Sequence, residues 1–307
     1  MLKDERVDVV HVHFHKDIWS PSIAMRHDQR KKLFLSIYMG VTAKNDILHR
    51  WIYDRVYAIF TSSDELHARL PSLYPVASQK IHFIPYGRRL DSYHRVQSRR
   101  SEIRRQLSVG DNDILVGTMV RIDPGKGVLD FIKSILYLDQ AHEKSVKYVV
   151  VGEPTRRAVH RPNESAFERR CEEYLEEIRT FIDDHQLSAR MSLTGYQEDL
   201  VGYLSAFDIF VFPSRDELYS LVVLDAMSMN LPVVAARAGG NILQVQDGKT
   251  GALYEVGNSR ELAEKLRPYV RDPALRNEHG LAGRRFVEQR HSMQSTVDQI
   301  LSFYGKS

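Results

Sequence analysis

The chain has 307 residues, of which 43% are hydrophobic and 27% charged, and it contains a single cysteine, Cys171. This composition is that of a globular protein, and it excludes a collagen-like chain, a disordered chain and a disulfide-stabilised scaffold. The formal net charge is +3, but residues 1–100 carry +7 and the remainder −4. A basic first third favours an anionic partner such as a lipid headgroup, although a solvated surface is the more common explanation.

Short apolar runs alternate along the chain with longer amphipathic segments. Continuous apolar runs indicate strands buried on both faces, as in parallel sheets, and the amphipathic segments indicate helices packed on those faces. The predicted strands are, in chain order, Val7–His13, Leu33–Tyr38, Tyr57–Ser62, Ile81–Pro85, Ile114–Val120, Tyr148–Gly152, Met191–Gly195, Phe207–Pro213, Pro232–Ala236 and Gly251–Glu255. The clearest helical periods cover Leu129–Leu138, residues 167–182 and Leu221–Met229.

A polar, arginine-rich stretch, Arg88–Arg100, separates the first four predicted strands from the other six. We therefore expect two doubly wound α/β domains, at residues 1–92 and 93–288. A final helix at residues 289–307 has an open apolar face that could pack back on the first domain. No Gly-rich strand–turn–helix precedes the first predicted strand, Val7–His13.

Two carboxylates, Glu217 and Asp225, follow the predicted strand Phe207–Pro213. Glu217 is expected in the loop at the carboxyl edge of the sheet. Asp225 is expected about a turn and a half into the next helix, on the same side. The backbone amides at the helix start suit a phosphate, because unpaired N–H groups and the helix dipole both favour an anion. On spacing alone, the alternative that both acids are ordinary surface residues stays open.

Two cations, Arg121 and Lys126, lie five residues apart in a turn rich in glycine and proline after the strand Ile114–Val120. Such a pair can neutralise the charge of a diphosphate leaving group. The turn is neither a P-loop nor a dinucleotide-binding fingerprint, because it has neither glycine pattern. A solvated basic turn between a strand and a helix is the alternative.

Together, these segments belong to a succession of motifs that resembles the retaining glycosyltransferases of family 4, which have the GT-B fold. The motifs occur in the family's order, and they are Arg121–Gly127, Val149–Glu153, Leu193–Tyr196, Ala206–Ser214, the segment 217–225, Asn230–Ala235, Gly239-Gly240 and Asp247–Gly251. No single motif is decisive, but the collinear succession is a strong signal. The resemblance implies a GT-B protein with two Rossmann-like doubly wound domains and a cleft between them.

The resemblance further implies transfer of a sugar from a nucleoside-diphosphate sugar to an acceptor, with the anomeric configuration retained. Carried over by position, Arg121 and Lys126 hold the diphosphate, and Glu217 contacts the donor sugar near the reacting carbon; these three are the implied catalytic residues. The implied donor-binding residues are Arg121, Lys126, Gly195, Tyr196, Glu217, Tyr219, Ser220, Leu221 and Asp225. No metal or other cofactor is expected, because preorganised cations and a helix N-terminus can stabilise the departing diphosphate.

The chain departs from the family's pattern at several positions. Asp225 stands where the family usually has Glu, Ser220 replaces a usual Gly, and Gln244 stands where an acid is common. Tyr38 lies in a segment that often ends in a histidine near the reacting sugar. The Gly-rich strand–turn–helix with which the family's first domain begins is also absent, so the resemblance implies that residues 1–92 form an incomplete N-terminal domain. These departures leave open two alternatives: a non-catalytic nucleotide-sugar-binding or partner subunit, and a sugar-nucleotide epimerase of similar architecture.

Three histidines, His11, His13 and His15, alternate on the first predicted strand and are expected to share one face. A metal site there is disfavoured because no acid is suitably placed in the sequence, whereas contact of one histidine with the acceptor stays open. The expected partners are the nucleotide-sugar donor and an unidentified acceptor, with no nucleic acid. The unpaired Cys171 favours a reducing compartment, so we expect a cytoplasmic protein, with possible peripheral contact of its basic N-terminal part with the inner membrane face.

Overall fold

The computed structural model describes residues 7–38, 42–138, 146–158 and 165–305. The chain divides into two compact units, one built from residues 1–88 and 290–307, the other from residues 89–289. Residues 1–6 and 39–41 of the predicted first domain, and 306–307 of the predicted last helix, lie outside the described residues. No helix in the described ranges is long and apolar enough to cross a lipid bilayer.

Every predicted strand is found, with ends that differ from the prediction by at most two residues. The strands are β1 (Val9–Val12), β2 (Lys32–Ile37), β3 (Val56–Thr61), β4 (Ile81–Phe83), β5 (Ile114–Met119), β6 (Val146–Val151), β7 (Met191–Leu193), β8 (Ile209–Phe212), β9 (Val233–Ala236) and β10 (Gly251–Tyr254). All their pairings are parallel. The expected α/β class with two parallel sheets and Rossmann-like domains is confirmed.

Helices connect these strands. The α-helices are α1 (Trp19–Ala24), α2 (Ile47–Tyr53), α3 (Asp64–Leu73), α4 (Gln97–Gln106), α5 (Val128–Ser134), α6 (Arg169–Asp184), α7 (Leu200–Ala206), α8 (Leu221–Ser228), α9 (Asn241–Gln244), α10 (Ser259–Arg271), α11 (Pro273–Arg290) and α12 (Met293–Gly305). Short 3-10 helices occur at His15–Ile18, Ser78–Lys80, Leu90–Ser92, Pro124–Lys126 and Ile135–Tyr137. The helix predicted over Leu129–Leu138 is thus an α-helix that ends in a 3-10 turn.

The sheet of the second unit has the strand order β10-β9-β8-β5-β6-β7. The chain starts in the middle at β5, proceeds outward through β6 and β7, and then returns to the other side of β5 with β8. The order therefore reverses between β5 and β8. In open parallel sheets, ligands bind in the crevice outside the carboxyl ends of the strands at such a switch point.

The strands of this sheet are apolar throughout because helices cover both faces. Val116 and Val211 lie in the core on one face, and Leu115 and Phe210 in the core on the other. Successive side chains of a strand point to opposite faces, so burial of both faces requires a continuous apolar run. This is the physical basis of the correct strand predictions.

The first unit has a four-stranded sheet of order β1-β2-β3-β4, and α12 packs against it. Ile300, Phe303 and Tyr304 of α12 contact a core cluster that contains Phe34 and Phe60. Where the chain returns to this unit, a Cβ on Gly87 would lie 2.7 Å from the Cα of Met293. Any larger residue there would push the start of α12 away.

The predicted histidine row is only partly correct. His11 and His13 lie on one side, with ring centroids 4.4 Å apart, but His15 begins a 3-10 helix after β1 has ended. The ring of His11 hydrogen-bonds through Nδ1 to the Tyr304 hydroxyl at 2.5 Å and through Nε2 to Ser36 Oγ at 2.8 Å. Burial, and secondarily the nearby His13, lower the pKa of His11 from 6.5 to about 4.

This shift predicts that stability falls as the pH drops from 7 toward 4. The unfolded chain binds a proton at position 11 near pH 6.5 and the folded chain only near pH 4, so the free energy of unfolding decreases as the pH falls through that interval. Urea unfolding at pH 7 and pH 5 should show a smaller pH-dependent loss in His11→Gln than in the wild type. His27→Gln, which changes an exposed histidine, should leave the loss unchanged. Equal losses in wild type and His11→Gln would contradict the assignment.

Candidate functional site

Two loops meet at the switch point of the second unit: the turn after β5 and the loop between β8 and α8. The backbone N–H of Arg215 donates to the carbonyl of Gly125 at 2.9 Å. Gly127 has φ +64°, and a Cβ there would lie 2.1 Å from the carbonyl oxygen of Pro213. Only glycine combines this conformation with so close an approach, so the two loops are in direct backbone contact.

Lys126 and Glu217, both predicted site residues, form an ion pair across these loops. Lys126 Nζ donates to Glu217 Oε2 at 2.7 Å and to Ser214 Oγ at 3.3 Å. The two charged side chains are 20% and 22% exposed, so they are largely enclosed but reachable from solvent. A cation beside a carboxylate in such a crevice can bind a phosphate through the one group and hydroxyls through the other.

The loop after β9 packs against the backbone of Glu217. Gly240 N–H donates to the Glu217 carbonyl at 2.8 Å. A Cβ on Gly239 would lie 2.1 Å from the Glu217 carbonyl oxygen, and one on Gly240 would lie 2.1 Å from that of Leu218. The Gly239-Gly240 motif therefore allows two backbone segments to approach each other closely.

Gly240→Ala is expected to lower turnover about tenfold or more by displacing the loop that carries Glu217, because ångström-scale misplacement of a binding group is costly. Gly240 has φ −64° and ψ −16°, which alanine adopts freely, so the new effect is the collision of its Cβ with the backbone of Leu218 and Tyr219. Steady-state kinetics and thermal unfolding measure the result.

The matched control is Gly257→Ala. Gly257 has φ +78° and open space around a new Cβ, so alanine there should cost stability without changing turnover. Wild-type turnover in Gly240→Ala would show that the glycine pair does not position Glu217.

The expected phosphate-binding role of the Ser220 amide needs correction. Ser220 N–H donates to Gln244 Oε1 at 2.9 Å, and Gln244 Nε2 donates to the Ser220 carbonyl at 2.7 Å. The Gln244 side chain is fully buried, so it holds both polar groups of the Ser220 backbone. That N–H is therefore already committed within the protein. The Ser220 side chain provides no cap to α8.

Asp225 and Leu221 lie one turn apart on α8, on the same face of the helix. Leu221 is the first residue of α8 and is exposed, whereas Asp225 is only 3% exposed. The Asp225 side chain is therefore buried within the unit, whereas the sequence spacing predicted that it faces the open crevice.

Arg121, Gly195 and Tyr196, which were also predicted, follow the carboxyl ends of strands of the same sheet. Arg121 is exposed after β5, and no hydrogen bond or ion pair links it to Lys126 or Glu217 within the described ranges. Gly195, with φ +71°, and the exposed Tyr196 follow β7, two strands away from β5. The Gly195 carbonyl accepts from Gly152 N–H at 2.9 Å.

One group of potential metal ligands occurs in the described part of the chain: Asp123, Glu168 and Cys171, whose ligand atoms lie within 4.8 Å of one another. Arg170 already contacts this group, at 3.0 Å from a carboxylate oxygen of each acid. Asp123 also accepts from Gly125 N–H at 2.8 Å and so shapes the turn that carries Lys126. The contacts of Asp123 and Glu168 with Arg170, and of Asp123 with the Gly125 amide, therefore account for this group without a bound cation.

Sequence reasoning missed two residues that shape this site, Arg215 and Asp130, and it singled out Gln244 only as a departure from the family's pattern. The Arg215 guanidinium makes two hydrogen bonds to the Asp130 carboxylate, at 2.8 and 2.9 Å. These partners are separated by 85 residues, and Gln244 and Ser220 by 24. No local pattern indicates such pairings.

Two units with parallel sheets, the second with charged loops at its switch point, define an α/β protein of the Rossmann-like type. A family model described as "Glycosyl transferases group 1" matches residues 99–286, and the chain belongs to this family. The expected GT-B fold is confirmed by the solved structures that it resembles.

Those structures include two bacterial proteins. Anabaena HepE in complex with UDP superposes with a TM-score of 0.81 at 21% identity, over 96% of this chain and 78% of that chain. A glycosyltransferase from Rickettsia africae gives 0.82 at 18% identity, over 98% of this chain and 78% of that one.

Among curated proteins, the chain is similar to the lipopolysaccharide core biosynthesis mannosyltransferase LpcC of Rhizobium leguminosarum bv. viciae. Identity is 24% over 92% of this chain and 74% of the relative. It is also 26% identical to the D-inositol 3-phosphate glycosyltransferase of Geodermatophilus obscurus, over 97% of this chain and 66% of that protein. The chain thus spans 66% of one of these curated relatives and 74% of the other.

Proposed function

We propose that this protein transfers a glycosyl group from a nucleoside-diphosphate sugar to a hydroxyl group of an acceptor, with retention of configuration and without a metal ion. The observation that carries the proposal is the Lys126–Glu217 pair at the switch point, in a chain of the glycosyltransferase family. The relatives named as mannosyl- and glycosyltransferases support the same class of reaction.

In this reaction the bond between the anomeric carbon and the diphosphate breaks, a bond to the acceptor oxygen forms, and the proton of the acceptor hydroxyl passes to the departing diphosphate. Negative charge develops on the leaving diphosphate, and groups already aimed at that charge lower the barrier. We assign this role to Lys126, with Arg121 and the Leu221 amide as further contacts. Glu217 accepts hydrogen bonds from the donor sugar.

For the rest of the donor, we assign the ribose to Asp225 and the base to the edge formed by Gly195 and Tyr196. Tyr196 exposes an aromatic face at the carboxyl end of β7, and Gly195 leaves open space beside it. Tyr219 lies between Glu217 and α8 and is assigned to the phosphates. The Ser220 amide is left out of this set because Gln244 holds it.

The decisive experiment is a calorimetric panel of UDP, GDP and ADP and their sugars, followed by donor turnover with and without EDTA. We expect one nucleoside diphosphate to bind, slow hydrolysis of its sugar without acceptor, and equal rates in EDTA. NMR of the released sugar at early times reports the anomeric configuration. Binding of no nucleotide would overturn the proposal, and loss of turnover in EDTA would overturn its metal-independent part.

The same panel separates the two alternatives that the sequence left open, neither of which the family match favours. Nucleotide binding with no turnover of any donor would support a non-catalytic binding subunit. Formation of an epimerised nucleotide sugar without an acceptor would support an epimerase.

We also propose that α2 contacts an anionic lipid surface. Three apolar side chains on this helix are exposed, Ile47 (86%), Leu48 and Trp51, and the Arg26 guanidinium lies 4.4 Å from the centroid of the Trp51 ring. Apolar tips with flanking cations suit the interface of a membrane with acidic headgroups. The excess positive charge of residues 1–100 is complementary to such a surface.

Sedimentation with phosphatidylglycerol-containing vesicles is expected to capture the wild type and to lose Ile47→Glu. Leu281→Glu, which changes an exposed leucine of the other unit, should still bind. Equal sedimentation of Ile47→Glu and the wild type would refute a role of this helix, as would equal capture by neutral vesicles.

A further inference from the structure

The two loops of the candidate site are joined by an ion pair that does not itself belong to the site. Asp130 lies on α5, directly after the turn that carries Lys126, and its side chain is 7% exposed. Arg215 lies in the loop after β8, two residues before Glu217, and presents two N–H groups to the two carboxylate oxygens of Asp130. This paired geometry is the strongest that an arginine and a carboxylate can form.

Asp130 is held in a fixed position by the packing of α5. Nearly all residues of α5 are buried, and the Asp130 backbone N–H donates to the Gly127 carbonyl at 3.0 Å. The segment 213–220, by contrast, forms neither helix nor strand. Loops of this kind are mobile unless particular contacts hold them. The Asp130–Arg215 pair and the Arg215–Gly125 backbone hydrogen bond are two such contacts. Both connect the segment 213–220 to the turn that carries Lys126 or to the helix directly after it.

We propose that the Asp130–Arg215 pair is a positioning device that sets the carboxylate of Glu217 against the ammonium group of Lys126. The inference rests on the proposed function, since it assumes that these two groups bind the donor. Neither Asp130 nor Arg215 contacts the donor itself. The pair acts on turnover through the placement of Glu217.

The pair also has an electrostatic consequence. Arg215 is partly exposed and close in sequence to Glu217, so without Asp130 its charge is available to Glu217 or to a bound diphosphate. In the folded protein, Asp130 holds the guanidinium in a fixed direction and neutralises it. Loss of Asp130 therefore misplaces Glu217 without removing positive charge from the site.

This difference distinguishes positioning from a purely structural role. Asp130→Asn keeps the volume of the side chain and removes its charge. We expect it to lower kcat about tenfold, because a misplaced group loses contacts that matter in the transition state. Affinity for UDP, or for whichever nucleoside diphosphate the panel selects, should be unchanged or increased, because Lys126 and Arg121 remain and Arg215 is released.

The experiment compares Asp130→Asn, Arg215→Gln and the double variant with the wild type by kinetics, calorimetry and hydrogen exchange. The double variant should lose no more turnover than the worse single variant, because both changes break one interaction. Amide exchange in segment 213–220 should be faster in all three. Glu288→Gln is the matched control, since it breaks the Arg284–Glu288 pair of α11 and should change neither turnover nor exchange in this segment.

The two hypotheses fail in different ways. A wild type that turns over no donor refutes the proposed function, and the exchange measurement then still decides whether the pair holds the loop. Unchanged exchange or unchanged kcat in Asp130→Asn overturns the positioning role, as does an equal fall in kcat and in nucleotide affinity. If Arg215→Gln does not fold because Asp130 is left buried and unpaired, Arg215→Lys replaces it, and it should show faster exchange because lysine lacks the paired geometry.

Discussion

Lys126→Ala is expected to weaken binding of the nucleoside diphosphate about tenfold and to lower donor turnover about a hundredfold. A hydrogen bond to a charged group contributes roughly 1.5–3 kcal/mol, and each 1.4 kcal/mol is a factor of ten. The larger effect falls on turnover because negative charge on the diphosphate increases as the bond to the sugar breaks. Calorimetry with the nucleotide and steady-state kinetics with its sugar measure the two quantities.

Lys249→Ala is the control for this variant. Lys249 is exposed in the turn before β10, at the opposite edge of the sheet, so its removal changes the net charge equally without touching the site. We expect wild-type binding and turnover from it. Equal nucleotide affinity in Lys126→Ala and the wild type would remove Lys126 from the diphosphate site.

Glu217→Gln is expected to lower turnover roughly 10- to 100-fold, with at most a small change in nucleotide affinity, because the carboxylate is assigned to the sugar and not to the diphosphate. Glutamine keeps the size of the side chain and loses its charge and half of its accepting capacity. The measurement is kcat with the intact donor, compared with the dissociation constant of the nucleoside diphosphate alone.

The neighbouring acid provides the comparison. Asp216 is exposed, and its backbone carbonyl accepts from Ser214 Oγ at 3.2 Å, so Asp216→Asn should leave both quantities unchanged. Loss of nucleotide affinity as large as the loss of turnover in Glu217→Gln would show that Glu217 acts on the whole donor. Full turnover in that variant would exclude it from the site.

The Lys126–Glu217 ion pair at the carboxyl edge depends on the order of the strands. Lys126 and Glu217 are separated by 91 residues, and their 2.7 Å contact arises because β8 pairs with β5 after β6 and β7 have been added on the other side. The sequence motifs identified Lys126 and Glu217 as site residues, but the distance between them is set by the strand order of the sheet. Arg121 illustrates the limit, since it follows the same strand and yet, among the residues that the structure describes, no hydrogen bond or ion pair joins it to Lys126 or Glu217.

The role of the Ser220 amide illustrates a different limit. The start of α8 was correctly placed, and with it the general expectation of unpaired N–H groups. The sequence did not indicate that the buried Gln244 carboxamide reaches back to both polar groups of Ser220. A side chain 24 residues away competes with a ligand for the same donor, and only the packing of α9 against this loop decides the outcome.

The amino-acid sequence by itself determined the α/β class, the ten strands and the loops in which chemistry is concentrated. Continuous apolar runs, helical periods and glycine-rich turns are local consequences of burial and backbone conformation. Each can therefore be recognised within a single segment of the sequence. The tertiary structure alone decided the Lys126–Glu217 and Asp130–Arg215 pairs, the commitment of Ser220 to Gln244, and the burial of Asp225. These depend on strand order and side-chain packing between distant segments, which no local pattern encodes.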